Sequence, residues 1–186
     1  MRKATLISFA ALSATAVLLA GCDSKKDDIG DPPKCATATA PTDAKADWTF
    51  KGATGEIKVV APTEEHAPGV TVAGPFTVAD TTPHTLAEGT GDKIKLEDTV
   101  SVCYHGVNGA DGSVFDSAYQ RGEPTDFPLN GVVPGFQKAI VGQKKGAKVA
   151  VAVSPADGYP NGTPDGSIKP GQTLIFVLQI KDVQTA

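Results

Sequence analysis

The pattern that most restricts the fold is a set of alternating stretches in the C-terminal half, interrupted by one helical stripe. Thr99 to Tyr104 puts Val100, Val102 and Tyr104 on one face, and Lys148 to Val153 does the same with Val149, Val151 and Val153. Thr173 to Ile180 places Leu174, Phe176, Leu178 and Ile180 on one side. Its other side carries Ile175 and Val177, so part of this strand is expected to be covered on both faces. Between these stretches Pro134 suits a first helical turn, where its missing N–H costs nothing. Phe136, Ala139 and Ile140 follow on one helical face, and Gly142 can end the helix. Strands plus one short helix with one apolar stripe bury those faces against each other, which predicts an α+β domain.

The same region carries short aromatic motifs in a fixed order. They are Val102-Cys103-Tyr104-His105-Gly106, Asp111-Gly112-Ser113-Val114-Phe115-Asp116-Ser117, Asp126-Phe127-Pro128-Leu129, Val132-Val133-Pro134-Gly135-Phe136, Ser154-Pro155-Ala156-Asp157-Gly158-Tyr159 and Thr173-Leu174-Ile175-Phe176. Taken singly, each reads as core aromatics or a breaker-rich loop. Together they resemble the FKBP-type peptidyl-prolyl cis-trans isomerases over roughly the last hundred residues, about one domain length. The resemblance implies a strongly curved antiparallel β-sheet wrapped around one short α-helix. It also implies a pocket whose catalytic residues are Tyr104, Asp116, Tyr159 and Phe176, with Phe115, Phe127, Val132, Val133, Phe136 and Ile168 binding substrate. By the same resemblance Phe136 forms the floor, Tyr104, Phe115 and Phe176 form walls, and the Val133 N–H and Tyr159 hydroxyl donate to substrate carbonyls. Leu174 and Leu178 are assigned to the core.

Those residue types suit the reaction. Rotation about an X–Pro bond faces a barrier of roughly 20 kcal/mol, because amide resonance is lost in the twisted state. Water stabilises the planar, charge-separated amide, so an apolar cup that strips this water and fits the twisted form favours the transition state. No cofactor, metal or proton shuttle is needed, and Asp116 is expected to act electrostatically rather than as a base. The chain departs from the family pattern at several points. Phe136 stands where the best-known members have tryptophan, Thr125 where an aromatic is common, Pro160 where glycine usually follows the tyrosine, and Pro134 adjoins Val133.

At the other end, Arg2 and Lys3 precede an apolar run from Leu6 to Leu19, too short to make a good permanent span. Leu19-Ala20-Gly21-Cys22 matches a bacterial lipobox, in which Cys22 receives lipid. Residues 1–21 are therefore expected to be a lipoprotein signal peptide. The mature protein would be lipid-anchored to the cell membrane on its extracytoplasmic side. Residues 22–47, rich in Asp, Lys, Pro, Ala and Thr, lack the apolar surface to offset ordering entropy and are expected to be a flexible tether. Residues 48–83 read as an N-terminal strand extension or strap, and residues 84–186 as the isomerase domain. Export permits a Cys35–Cys103 disulfide, and Cys103 faces away from Tyr104. The simpler expectation is an ordinary strand cysteine and a free Cys35 in the tether.

A formal net charge of −4 offers no footprint for nucleic acid. His66, His84 and His105 lack metal-ligand spacing, and there is no nucleophile elbow, phosphate loop or Cys-x-x-Cys pair. The expected function is isomerisation of proline-containing, unfolded exported proteins at the membrane surface, with a macrolide as a further candidate ligand. The competing expectation is a proline-peptide-binding or holdase module with little turnover. A surface adhesin or signalling role would rest only on the anchor and residues 48–83.

Overall fold

Two antiparallel sheets share the strands of this computed structural model, which describes residues 33–186. The first sheet is formed by β1 (Trp48–Lys51), β2 (Thr54–Val60) and β3 (Gly69–Thr77). The second contains β4 (Thr82–Ala87), β5 (Thr99–Asn108), β6 (Val114–Ser117), β7 (Thr125–Pro128), β8 (Lys148–Val153) and β9 (Leu174–Gln184). Its spatial order is β4-β8-β9-β5-β6, with β7 also pairing β5. A one-turn helix α1 (Ala118–Arg121) follows β6, and α2 (Pro134–Ile140) precedes β8.

β9 lies at the centre and explains its own sequence. Leu174, Phe176, Leu178 and Ile180 enter a core shared with α2, while Ile175 and Val177 enter a second core shared with β2 and β3. β8 divides in the same way: Val149, Val151 and Val153 face the first core, Ala150 and Ala152 the second. Full burial of each larger aliphatic contributes about 1.5–3 kcal/mol. A strand covered on both faces therefore reads as a nearly unbroken apolar run.

α2 forms as its sequence predicts. Pro134 takes the first helical position, and Phe136, Ala139 and Ile140 are buried. Gly142 adopts φ 84° just past the helix and donates its N–H to the Ile94 carbonyl at 2.9 Å. Gly135 allows α2 to lie directly on β8, since a Cβ there would stand 2.3 Å from Val153 Cγ1.

Of the strands or strap expected over residues 48–83, the structure has strands. Residues 48–77 build their own sheet, whose Ile57, Val59 and Phe76 cover the face of the second sheet that α2 leaves open. The expected domain boundary between residues 83 and 84 falls inside β4. The tether expectation also needs correction within its described part. Cys35 is buried and disulfide-bonded to Cys103, its N–H donates to the Gly122 carbonyl at 3.0 Å, and Ala67 N–H donates to the Ala38 carbonyl at 2.7 Å. A covalent bond and backbone hydrogen bonds order this segment where apolar burial is too small to do so. The free Cys35 expected from composition is corrected by the same bond. The expected signal peptide 1–21, the expected lipidation at Cys22 and the expected tether up to residue 32 lie outside the described residues.

Candidate active site

Strand alternation delivers Tyr104 from β5 and Phe176 from β9 to the α2 side of the second sheet. β6 adds two consecutive residues to that side. Gly106 pairs Asp116 and Val107 pairs Val114, so Phe115 is the extra residue of a bulge. A regular strand would send Phe115 and Asp116 to opposite faces, whereas the bulge turns both toward one cavity. Gly106 makes room for the Phe115 ring, because a Cβ there would lie 2.6 Å from Phe115 Cζ. Phe127 comes from β7 and Phe136 from α2. A turn at Pro155–Asp157 leads into Tyr159.

These residues enclose a cavity of about 440 Å³ lined by Tyr104, Phe115, Asp116, Phe127, Gly131, Val132, Val133, Phe136, Tyr159 and Phe176. Phe136 sits at its centre. Its ring meets Phe176 edge-to-face at 5.3 Å, Phe127 at 5.5 Å and Tyr104 at 6.2 Å between centroids. Phe115 meets Phe176 at 5.5 Å and 88°. Such contacts set the positive edge of one ring against the negative face of the next and fix ring orientation.

One charged cluster closes the rim. Tyr104 donates its hydroxyl hydrogen to Asp116 Oδ2. Arg121 Nη1 donates to Asp116 Oδ1 at 2.6 Å and Arg121 Nη2 to the Tyr104 hydroxyl at 2.9 Å. Arg121 Nη2 also reaches Thr125 Oγ1 at 3.4 Å, and its Cζ lies 5.5 Å from the Tyr104 ring centroid. Burial pulls the Asp116 carboxyl upward, but the Tyr104 hydroxyl and the Arg121 guanidinium outweigh it and hold the group below its ordinary range. Burial, then the bond to Asp116, pushes Tyr104 upward. Near neutrality Asp116 is therefore ionised and Tyr104 protonated. The pair is a fixed dipole at the mouth of an apolar cup, poorly suited to general-base work.

Among the residues expected at the site, Ile168 alone does not line the cavity. It is buried in the same core, with its backbone tied to Thr163 by bonds of 2.8 and 3.0 Å, and packs behind the lining. Gly131 and Arg121 were not expected. Arg121 owes its place to α1, which starts at Ser117, whose hydroxyl accepts from Gln120 N–H at 3.4 Å. The helix ends at Gly122 with φ 78°. Ser117-Ala118-Tyr119-Gln120 followed by Gly122 is a readable helix start and stop, and would have brought Arg121 back toward Asp116. Thr125 gains a role from the same group, since it accepts from the rim guanidinium.

Residues 91–181 match the family model described as FKBP-type peptidyl-prolyl cis-trans isomerase. A probable FKBP-type peptidyl-prolyl cis-trans isomerase of Haemophilus influenzae is 41% identical over 95 residues, which cover 51% of this chain and 39% of that protein. A probable FK506-binding protein of Corynebacterium glutamicum is 36% identical over 94 residues, covering 50% of this chain and 77% of that protein. The crystal structure of FkpA from Escherichia coli superposes with a TM-score of 0.51 at 30% identity, covering 74% of this chain and 52% of that one. The matched stretch thus spans well under half the length of the Haemophilus relative.

Proposed function

We propose, from the premise that the chain belongs to the FKBP-type peptidyl-prolyl cis-trans isomerase family, that its aromatic cup catalyses rotation about X–Pro bonds in polypeptides. One observation carries this reading. Rings from β5, β6, β7, α2 and β9 line a single cavity whose lining carboxylate, Asp116, is already paired with Arg121 and Tyr104. The prolyl ring seats against Phe136, and Tyr104, Phe115, Phe127 and Phe176 exclude water from the twisting amide. Loss of that water destabilises the planar, charge-separated form more than the twisted one. The Val133 N–H and the Tyr159 hydroxyl hold the flanking carbonyls, and Asp116 polarises the rim without moving a proton.

The test is isomerisation of a proline tetrapeptide by the purified chain. Tyr159→Phe removes one donor and should lower kcat/KM about three- to tenfold. Asp116→Ala leaves the Arg121 guanidinium without its partner and should lower it by about tenfold or more. Wild-type rates equal to the uncatalysed reaction would refute the enzyme and leave the holdase alternative.

We also propose that Cys22 carries lipid, so that the enzyme works on exported proteins at the outer side of the cell membrane. The Arg2-Lys3 start, the apolar run and Leu19-Ala20-Gly21-Cys22 support this. The Cys35–Cys103 disulfide supports an oxidising compartment independently. Palmitate labelling should be abolished in Cys22→Ala. Label that survives the substitution removes the anchor.

A further inference from the structure

We infer that Asp157 is a positioning residue for Tyr159, tying the wall of the cup to its floor helix through Lys138. The inference rests on the isomerase reading, in which the Tyr159 hydroxyl holds a substrate carbonyl. β8 ends at Val153, and the next regular strand begins only at Leu174. Tyr159 stands in this long connection, half-buried on the cavity wall. It is preceded by the turn Pro155–Asp157, closed by the Asp157 and Gly158 N–H groups, which both donate to the Ser154 carbonyl at 3.1 Å, and its own carbonyl accepts from Gly162 N–H at 3.0 Å.

Two attachments fix that turn from outside. Lys138 Nζ donates to Asp157 Oδ2 at 2.6 Å, and Lys138 lies two residues beyond Phe136 on α2. The floor ring and the Tyr159 wall are thereby linked through one ion pair. Thr81, in the short link between β3 and β4, receives the Ser154 N–H at 3.1 Å and shares a hydrogen bond with the Ser154 hydroxyl at 3.3 Å. The Lys138 ammonium first, then the Thr81 hydroxyl, hold the Asp157 carboxyl below its ordinary range. The link that follows the first sheet thus braces the turn before Tyr159 through Thr81.

The Lys138 side chain is 53% exposed and that of Asp157 19%. With its lysine end open to solvent, the pair adds little to stability. Its effect here is geometric, since a donor displaced by about 1 Å can cost a large factor in rate.

A double-mutant cycle on the full chain tests the assignment. Asp157→Ala should lower kcat/KM for a proline tetrapeptide about three- to tenfold in the wild-type background, no more than loss of the hydroxyl itself. In Tyr159→Phe the same change should cost less than about twofold, because the hydroxyl it positions is already gone. Lys138→Arg should retain activity and Lys138→Met should behave as Asp157→Ala. Equal losses from Asp157→Ala in both backgrounds overturn the assignment, as does no loss in an active wild type. Amide exchange gives a readout free of turnover: residues 155–162 should exchange faster in Asp157→Ala and not in Tyr159→Phe. Unchanged exchange sinks the tie. Faster exchange in Asp157→Ala alongside a wild type that shows no turnover counts for the tie and against the isomerase reading.

Discussion

Phe136→Ala is expected to lower stability by about 3–5 kcal/mol and to remove most of the turnover. The ring is 5% exposed and touches Tyr104, Phe127 and Phe176, so its loss opens a hole where three other aromatics converge. None of those rings can collapse into it without leaving its own strand. The kinetic loss follows from the same burial. Covering one such ring is worth about 1.5–3 kcal/mol, which at the twisted amide corresponds to roughly a 10- to 150-fold fall in kcat/KM. Phe136→Leu keeps most of the volume and should recover stability to within about 1.5 kcal/mol while recovering less of the rate. Thermal melts and tetrapeptide kinetics on both variants check this. An alanine variant with wild-type kcat/KM would show that Phe136 is core alone and that the prolyl ring sits elsewhere.

What the sequence could disclose followed from how local each signal is. β8 and β9 were legible because alternation reports the two faces of a strand directly, and α2 because Pro134, Phe136, Ala139, Ile140 and Gly142 all lie within one short window. The strands of the first sheet were legible too, but what they pack against was not. Ile57, Val59 and Phe76 are far apart in the chain and bury against Ala150, Ala152, Ile175 and Val177, which a reader of residues 48–83 has no reason to connect with them. Phe115 and Asp116 show a different limit. Alternation alone would separate them, and only the bulge opposite Gly106 and Val107 brings both to the cup. Family resemblance supplied what periodicity could not. Arg121 fell between the two methods: a charged residue in a single helical turn leaves no apolar stripe, and it was not among the motifs that carried the resemblance.

The Cys35–Cys103 disulfide was the weighed alternative to a free Cys35, and its removal should be the largest stability change at any position outside the cup. Cys35 and Cys103 close a loop with a separation of 68 residues. Restricting an unfolded chain over such a span is worth about 4 kcal/mol in the chain-entropy picture. Both cysteines are buried, so the clean variant is Cys35→Ala with Cys103→Ala, which leaves neither a free thiol nor a buried hydroxyl. It should lose about 4 kcal/mol and roughly 10 °C in Tm, and dithiothreitol should do the same to wild type while leaving the variant unchanged. A typical domain holds only about 5–15 kcal/mol in total, so a large share of the stability would depend on oxidation. Tyr104 neighbours Cys103, yet its ring is held by Phe127, Phe136 and Arg121 rather than by the bond. At low temperature the variant should therefore keep kcat/KM within about threefold of wild type, as expected where neighbouring groups share no partners. Chain kept reduced would then be a competent but fragile enzyme, whereas the oxidised form is secured where its segment from Cys35 meets Gly122. A double variant that melts with wild type would show that the 33–47 segment is held by its backbone hydrogen bonds alone.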